Sequence, residues 1–78
     1  MIDFNTVMQR IREVLLEQKD QKRILDREIA AMLHLDPQYF AVIKKRNKIP
    51  YEAIALFCKK HHISMNWILM AQKPRYLT

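Results

Sequence analysis

The chain contains no glycine, and this absence limits its possible folds more than any other feature of the sequence. β-Hairpin turns and phosphate-binding loops usually depend on glycine, because their backbones require positive φ angles. Proline is also scarce, with three among 78 residues. The composition therefore favours helices joined by short turns over a β-rich fold or a glycine-rich nucleotide site.

The length of the chain predicts one small domain. A chain of this size buries only ~60% of the surface that its unfolded form exposes, so most of its apolar residues must serve a single core. Half of the residues are hydrophobic, which is too many for a disordered chain of this charge. We predict a domain over residues 1–73 and a loose C-terminal tail over residues 74–78, beginning where Pro74 stops the last helix.

The net charge of +6 predicts attraction to polyanions such as nucleic acid or acidic membrane surfaces. A single cysteine excludes an intrachain disulfide and suits a reducing compartment. No apolar run approaches the ~20 residues that span a bilayer, and MIDFNTVMQR lacks the layout of a signal peptide. We expect a cytoplasmic protein without a membrane partner.

Apolar spacing predicts five short helices. The first begins after Asp3 or Asn5, either of which could cap it, and the polar run KDQKR at 19–23 predicts the loop that follows. Asp26 could cap the second helix. The expected inward residues of these helices are Phe4, Val7, Met8, Ile11, Val14 and Leu15 in the first and Ile29, Ala30 and Leu33 in the second.

The third helix has the clearest boundaries, over residues 37–47. Asp36 can accept hydrogen bonds from free amides, and Pro37 needs no amide partner in the first turn. The helix ends before Ile49, because a residue preceding proline avoids helical angles. Pro50 opens a fourth helix and Ser64 caps a fifth. Their expected inward residues are Ala53, Ile54, Phe57 and Cys58 in the fourth and Trp67, Ile68 and either Met70 or Ala71 in the fifth.

The short link between the second and third helices, residues 34–36, predicts a sharp angle between them. This pattern is typical of a helix-turn-helix, in which two helices cross over a three- or four-residue turn. Leu35 is expected to fill the turn, while Phe40 and Ile43 face inward. Ala30 is expected where the two helices approach most closely.

Placing Phe40 and Ile43 inward turns the opposite face of the third helix to solvent. That face combines an amide, small apolar groups and cations, namely Gln38, Ala41, Val42, Lys45 and Arg46, with Tyr39 at its edge. Glutamine can bond adenine, apolar groups can touch the thymine methyl, and lysine or arginine can reach guanine or phosphate. A solvated basic face, favoured by the helix dipole, is the simpler alternative.

The order of REIA, FAVIKKRNKIP and ISMNWIL between residues 25 and 72 resembles the N-terminal DNA-binding domain of phage CI-type repressors. The resemblance implies an all-α, compact five-helix, lambda-repressor-like domain with its helix-turn-helix in helices 2 and 3. The sequence departs from the family at His34, where glycine is common. Carried over by position, the base-contact candidates are Gln38, Tyr39, Val42 and Lys45, and the phosphate-contact candidates are Arg27, Lys44, Arg46 and Lys48.

The expected function is that of a sequence-specific transcriptional regulator, a CI-like repressor that binds a double-stranded DNA operator. The resemblance implies a homodimer on DNA, with the helix over residues 37–47 in the major groove. Full-length repressors of this family generally continue into a dimerising C-terminal domain. This chain is therefore expected to be either a DNA-binding fragment or a stand-alone regulator.

Other functions are weaker expectations. A helix-turn-helix interaction module, such as an antitoxin or phage adaptor, would expose an apolar patch on the fourth or fifth helix. An enzyme is not expected, because the carboxylates form no evident pair and Cys58 lies in no nucleophile motif. Cys58, His61 and His62 suggest zinc, but a structural site needs four ligands, so neither a metal nor another cofactor is expected.

Overall fold

Five α-helices make up most of the computed structural model, which describes residues 2–19 and 22–77. They are α1 (Phe4–Lys19), α2 (Asp26–Met32), α3 (Pro37–Lys45), α4 (Tyr51–His61) and α5 (Met65–Met70). Within those residues the remaining pairing is an isolated antiparallel bridge between Ile63 and Tyr76. The all-α prediction is confirmed. The loop prediction is wrong for Lys19, which is the last residue of α1, and is confirmed for Lys22 and Arg23, while Asp20 and Gln21 lie outside the described residues.

Helix α1 begins at its predicted cap and forms the centre of the packing. The Asp3 carboxylate accepts hydrogen bonds from the backbone N–H of Thr6 at 3.0 Å and from its hydroxyl at 3.1 Å. All six predicted inward residues of α1 are buried. Helix α1 contacts both α2 and α5. Among the helices of the described chain, none combines the length and the apolar character needed to cross a membrane.

The buried core draws apolar side chains from all five helices. The prediction is confirmed for Ile29, Ala30 and Leu33 near α2, for Ile54, Phe57 and Cys58 on α4, and for Trp67 and Ile68 on α5. Ala53 on α4 is only partly buried, and the prediction is wrong for Met70 and Ala71, which are both exposed. Helix α5 ends at Met70, and Ala71 turns into the left-handed region with φ of 56°, which carries both residues away from the core.

Left-handed residues follow α2, α3, α4 and α5 even though no glycine is available. His34, Asn47, His62 and Ala71 have φ between 54° and 57°. Such a conformation costs an ordinary residue roughly 1–2 kcal/mol, and asparagine and histidine tolerate it better than most. After α2, the backbone N–H groups of His34 and Leu35 bond the carbonyls of Ala31 and Ala30 at 3.0 and 2.8 Å. These bonds satisfy carbonyls that the helix end would otherwise leave without partners.

The prediction of a loose tail is wrong for Arg75 to Leu77, which are attached to the core, while Thr78 lies outside the described residues. The backbone N–H of Ser64 bonds the Arg75 carbonyl at 2.8 Å, and the Leu77 N–H bonds the His62 carbonyl at 2.7 Å. The Arg75 guanidinium lies 4.2 Å from the centre of the Trp67 ring and pairs with Glu17 on α1 at 2.9 Å. Cation–π attraction and an ion pair therefore hold a segment whose sequence suggests disorder.

We predict that Cys58 is unreactive in the folded protein. It is 4% exposed on α4, and burial raises the pKa of its thiol from 9.0 to about 11. Because only the thiolate is nucleophilic, a rise of this size lowers the reactive fraction about 100-fold at mildly alkaline pH. The rate of reaction with an aromatic disulfide reagent should fall at least that far below the rate in denaturant. Equal rates in the two states would contradict the burial of this thiol.

Candidate nucleic-acid interface

Helix α3 starts abruptly, as predicted, because Asp36 and Pro37 define its first turn. The Asp36 side chain accepts hydrogen bonds from the backbone N–H groups of Gln38 at 2.7 Å and Tyr39 at 3.4 Å. Pro37 occupies the first helical position. The amides of the first turn have no partners within the helix. The Asp36 cap therefore stabilises the first turn of α3, which carries the base-contact candidates Gln38 and Tyr39.

Two buried side chains set the rotation of α3 about its own axis. Phe40 is 4% exposed and Ile43 is 2% exposed, so both predicted anchors face the core. The Phe40 ring meets Phe4 of α1 edge to face, with ring centres 5.3 Å apart. Aromatic pairs in this geometry are favourable beyond their buried area.

The four base-contact candidates lie together on the outer surface of α3. Tyr39 is 52% exposed and Val42 is 47% exposed, and Gln38 and Lys45 are also exposed. Positions 38, 42 and 45 are four and three residues apart, a spacing that places them along one face of a helix. The prediction that these side chains point outward is confirmed.

The end of α3 differs from the prediction by two residues. The helix stops at Lys45, not at residue 47, and Arg46 caps it. Asn47 adopts φ of 54°, and its side-chain oxygen accepts a hydrogen bond at 2.7 Å from the backbone N–H of Phe4. This contact requires Asn47 to leave the helix and turn toward the start of α1. The same turn leaves Arg46 and Lys48 exposed beyond the end of α3.

A cationic groove separates α2 from α3. Its volume is about 510 Å³, and its lining combines the apolar residues Ala30, Pro37, Phe40 and Ala41 with the polar and charged residues Asn5, Asp26, Arg27, Lys44 and Lys45. Two phosphate-contact candidates, Arg27 and Lys44, thus border the same groove as the base-contact candidate Lys45. The groove brings cations from two helices to a depression beside the outer face of α3.

Asp26 is not the cap of α2, contrary to prediction. It is the first helical residue, and Leu25 precedes it without a side-chain cap bond. The two oxygens of the Asp26 carboxylate are engaged elsewhere, by Arg12 of α1 at 2.7 Å and by Lys44 of α3 at 2.7 Å. Sequence reasoning missed this bridge, because its partners lie 14 and 18 residues away along the chain and no local pattern joins them.

Cys58 and His61 of the C-x-x-H-H sequence at residues 58–62 form part of the packing of α4, whereas His62 is exposed beyond its end. Cys58 is buried, the Nδ1 atom of His61 lies 2.8 Å from the Gln18 side-chain oxygen, and the imidazole ring stacks on Phe57 at 4.4 Å. The part of the chain that the structure describes holds no group of three histidine, cysteine or carboxylate side chains able to bind a metal.

An apolar depression lies on the side of α4 that faces the start of α3. We define it by its lining residues, Leu35, Tyr39, Pro50, Tyr51, Glu52, Ala53 and Leu56. Tyr51 is 50% exposed and Leu56 is 59% exposed. Tyr39 belongs to both this depression and the outer face of α3. An exposed apolar surface on the fourth helix is the feature expected of an interaction module.

Comparisons of this chain with protein-family models, with curated proteins and with solved structures found no match.

We predict that Asp36→Ala weakens the start of α3. Loss of a helix cap of this type typically destabilises a protein by ~1 kcal/mol, so the thermal midpoint should fall by several degrees in a domain of this size. Circular dichroism during heating measures this change. Asp36→Asn is the matched control, because asparagine also caps helices, and it should retain most of the stability. If both variants lost the same stability, the charge of Asp36 and not its capping bonds would be the stabilising factor.

Proposed function

We propose that the chain is a sequence-specific DNA-binding protein that regulates transcription, with α2 and α3 forming a lambda-repressor-like helix-turn-helix and α3 entering the major groove. The observation that carries the proposal is the division of α3 into two faces. Phe40 and Ile43 are held in the core, while Gln38, Val42 and Lys45 project outward on a capped helix. A helix that reads bases needs this division, because the side chains on one of its faces must meet the base edges of the major groove in a fixed orientation.

The outward side chains of α3 suit base edges chemically. The Gln38 amide can bond adenine through two hydrogen bonds, and a methyl of Val42 can contact thymine. The Lys45 ammonium can donate to the acceptors of guanine. Tyr39 adds a half-exposed ring with a hydroxyl beside Gln38. The combination of amide, apolar and cationic groups favours sequence readout over general polyanion binding.

The surrounding cations suit the DNA backbone. Arg27 borders the groove at the start of α2, and Arg46 and Lys48 follow α3, so cations flank the outer face of α3 at the groove and at its end. With a net charge of +6, the protein should bind more weakly as salt rises, since each neutralised phosphate releases counterions. This role requires no catalytic group or cofactor.

Gln38→Ala and Lys48→Ala should separate base reading from backbone binding. The first step is to select the preferred binding site of the protein from a pool of random duplexes. We expect Gln38→Ala to lose ~1–3 kcal/mol of binding free energy on this selected duplex and little on random duplex. Lys48→Ala should weaken binding to both duplexes alike. It should also reduce the slope of log affinity against log salt concentration by ~0.9. Both effects can be measured from the fluorescence anisotropy of a labelled duplex titrated with protein at several salt concentrations.

The controls are Gln72→Ala and Lys60→Ala, which remove the same groups from exposed positions outside α3 and the groove. Both should leave affinity for the selected duplex within about twofold of the parent's, a difference below ~0.5 kcal/mol. A parent protein that bound the selected and random duplexes equally would refute the proposed function.

We also propose that two copies of the chain bind a two-fold operator through the apolar depression beside α4. Tyr39, Tyr51 and Leu56 are about half exposed. Together they offer on the order of 200–350 Å² of apolar surface, taking half of roughly 150–250 Å² for each aromatic side chain and a smaller area for leucine. A stable interface needs about 800 Å² from each partner. The free protein should therefore be a monomer, and pairing should require DNA.

We predict that the free protein is a monomer at micromolar concentration. Two copies should bind a palindromic duplex whose half-sites lie about 10 base pairs apart. Sedimentation velocity measures both states. Leu56→Ser should reduce the cooperativity of binding to the palindrome but leave the affinity for a single half-site unchanged. A stable dimer of the free protein would contradict this scheme.

The interaction-module alternative has one observation in its favour, the same apolar depression. If a foreign protein occupied it, Tyr51→Ser and Leu56→Ser would abolish that complex without changing any binding to duplex DNA. In that case the protein would show the same weak affinity for all duplexes, and selection from a random pool would return no preferred site. The selection experiment therefore separates the two functions.

A further inference from the structure

Asp26 places a negative charge inside a groove whose other charged lining residues are cations. Arg27, Lys44 and Lys45 line the groove with it. A carboxylate in this position opposes the approach of a phosphate, because it repels the anion and partly neutralises the cations that would attract it. The Asp26 charge should therefore weaken any DNA complex in which these cations only attract phosphates without regard to sequence.

The two partners of Asp26 are held with very different rigidity. Arg12 donates to the Asp26 carboxylate at 2.7 Å and also to the Ile24 carbonyl at 3.1 Å and the Gln9 side-chain oxygen at 3.0 Å. Among the described residues, Asp26 is the single side chain bonded to the Lys44 ammonium, at 2.7 Å. The Lys44 side chain is also 45% exposed. Lys44 is thus the partner that can leave without disturbing other contacts.

We propose that Asp26 is a specificity-determining counter-charge that holds Lys44 until α3 is seated on its operator. This inference rests on the proposed DNA-binding function. An exposed ion pair is weak, so a correctly placed phosphate can replace the carboxylate as the partner of Lys44. In a non-specific complex, α3 does not enter the groove of the DNA, so no phosphate is held in the position where it could replace the carboxylate, and Lys44 remains paired with Asp26. Lys44 therefore contributes to operator binding and not to non-specific binding.

Asp26→Asn tests the counter-charge through salt dependence. The amide cannot hold Lys44 as an ion pair, so Lys44 should reach a phosphate on random duplex too. The slope of log affinity against log salt should steepen by ~0.9 on random duplex and stay unchanged on the selected operator, because one more phosphate is neutralised only on random duplex. The preference for operator over random duplex should fall.

Glu13→Gln is the matched control, because it removes one negative charge from α1 outside the groove, where Glu13 lies 3.8 Å from Arg75. It should alter binding to both duplexes equally and leave their slopes unchanged. In the Lys44→Met background, Asp26→Asn should no longer change the slope on random duplex. A slope change that persisted without Lys44 would overturn the proposal.

Lys44→Met alone tests the same idea if Asp26→Asn does not fold. It should reduce the slope on operator by ~0.9 and leave the slope on random duplex unchanged. Equal changes on both duplexes would overturn the counter-charge while leaving the DNA-binding function intact. A parent protein without preference for any selected duplex would instead refute the proposed function itself.

Discussion

The burial of Phe40 and Ile43 is the constraint on which the rest of the candidate interface depends. Helix α3 has only nine residues, and isolated helices of this length are not stable in water. Tertiary packing must therefore form the helix and choose its rotation. Contact between the rings of Phe4 and Phe40, together with the Asn47 bond to the Phe4 backbone, attaches α3 to the start of α1. Once those contacts exist, the outward position of the base-contact candidates follows from helical geometry.

Helix α1 organises the charged surface as well as the core. Through Arg12 it holds Asp26, and through Asp26 it reaches Lys44 on α3, so one carboxylate links three helices. At its other end, Glu17 pairs with Arg75 and attaches the tail beside Trp67. Exposed ion pairs of this kind add little stability individually. Their effect here is to decide where cations are available and where they are already neutralised.

Local signals in the sequence predicted the caps and the periodic core well. Asp36 and Ser64 cap α3 and α5 as expected, because capping depends on residues two or three positions apart. The same local reasoning failed for Asp26, whose carboxylate has better partners on α1 and α3 than its own helix offers. It also failed for Arg75, since an isolated tail sequence contains no sign of the Trp67 ring that it covers.

The sequence by itself determined the helical class, the starts of α1, α3 and α5 and which residues of α3 face inward or outward, because these properties depend on composition and on spacing along one helix. Only the tertiary structure decided which cations remain available and which surfaces stay uncovered. The Asp26 bridge, the groove beside Arg27 and the apolar depression near Tyr51 all join residues from separate helices. Such contacts are set by how the helices pack, and local spacing carries no information about them.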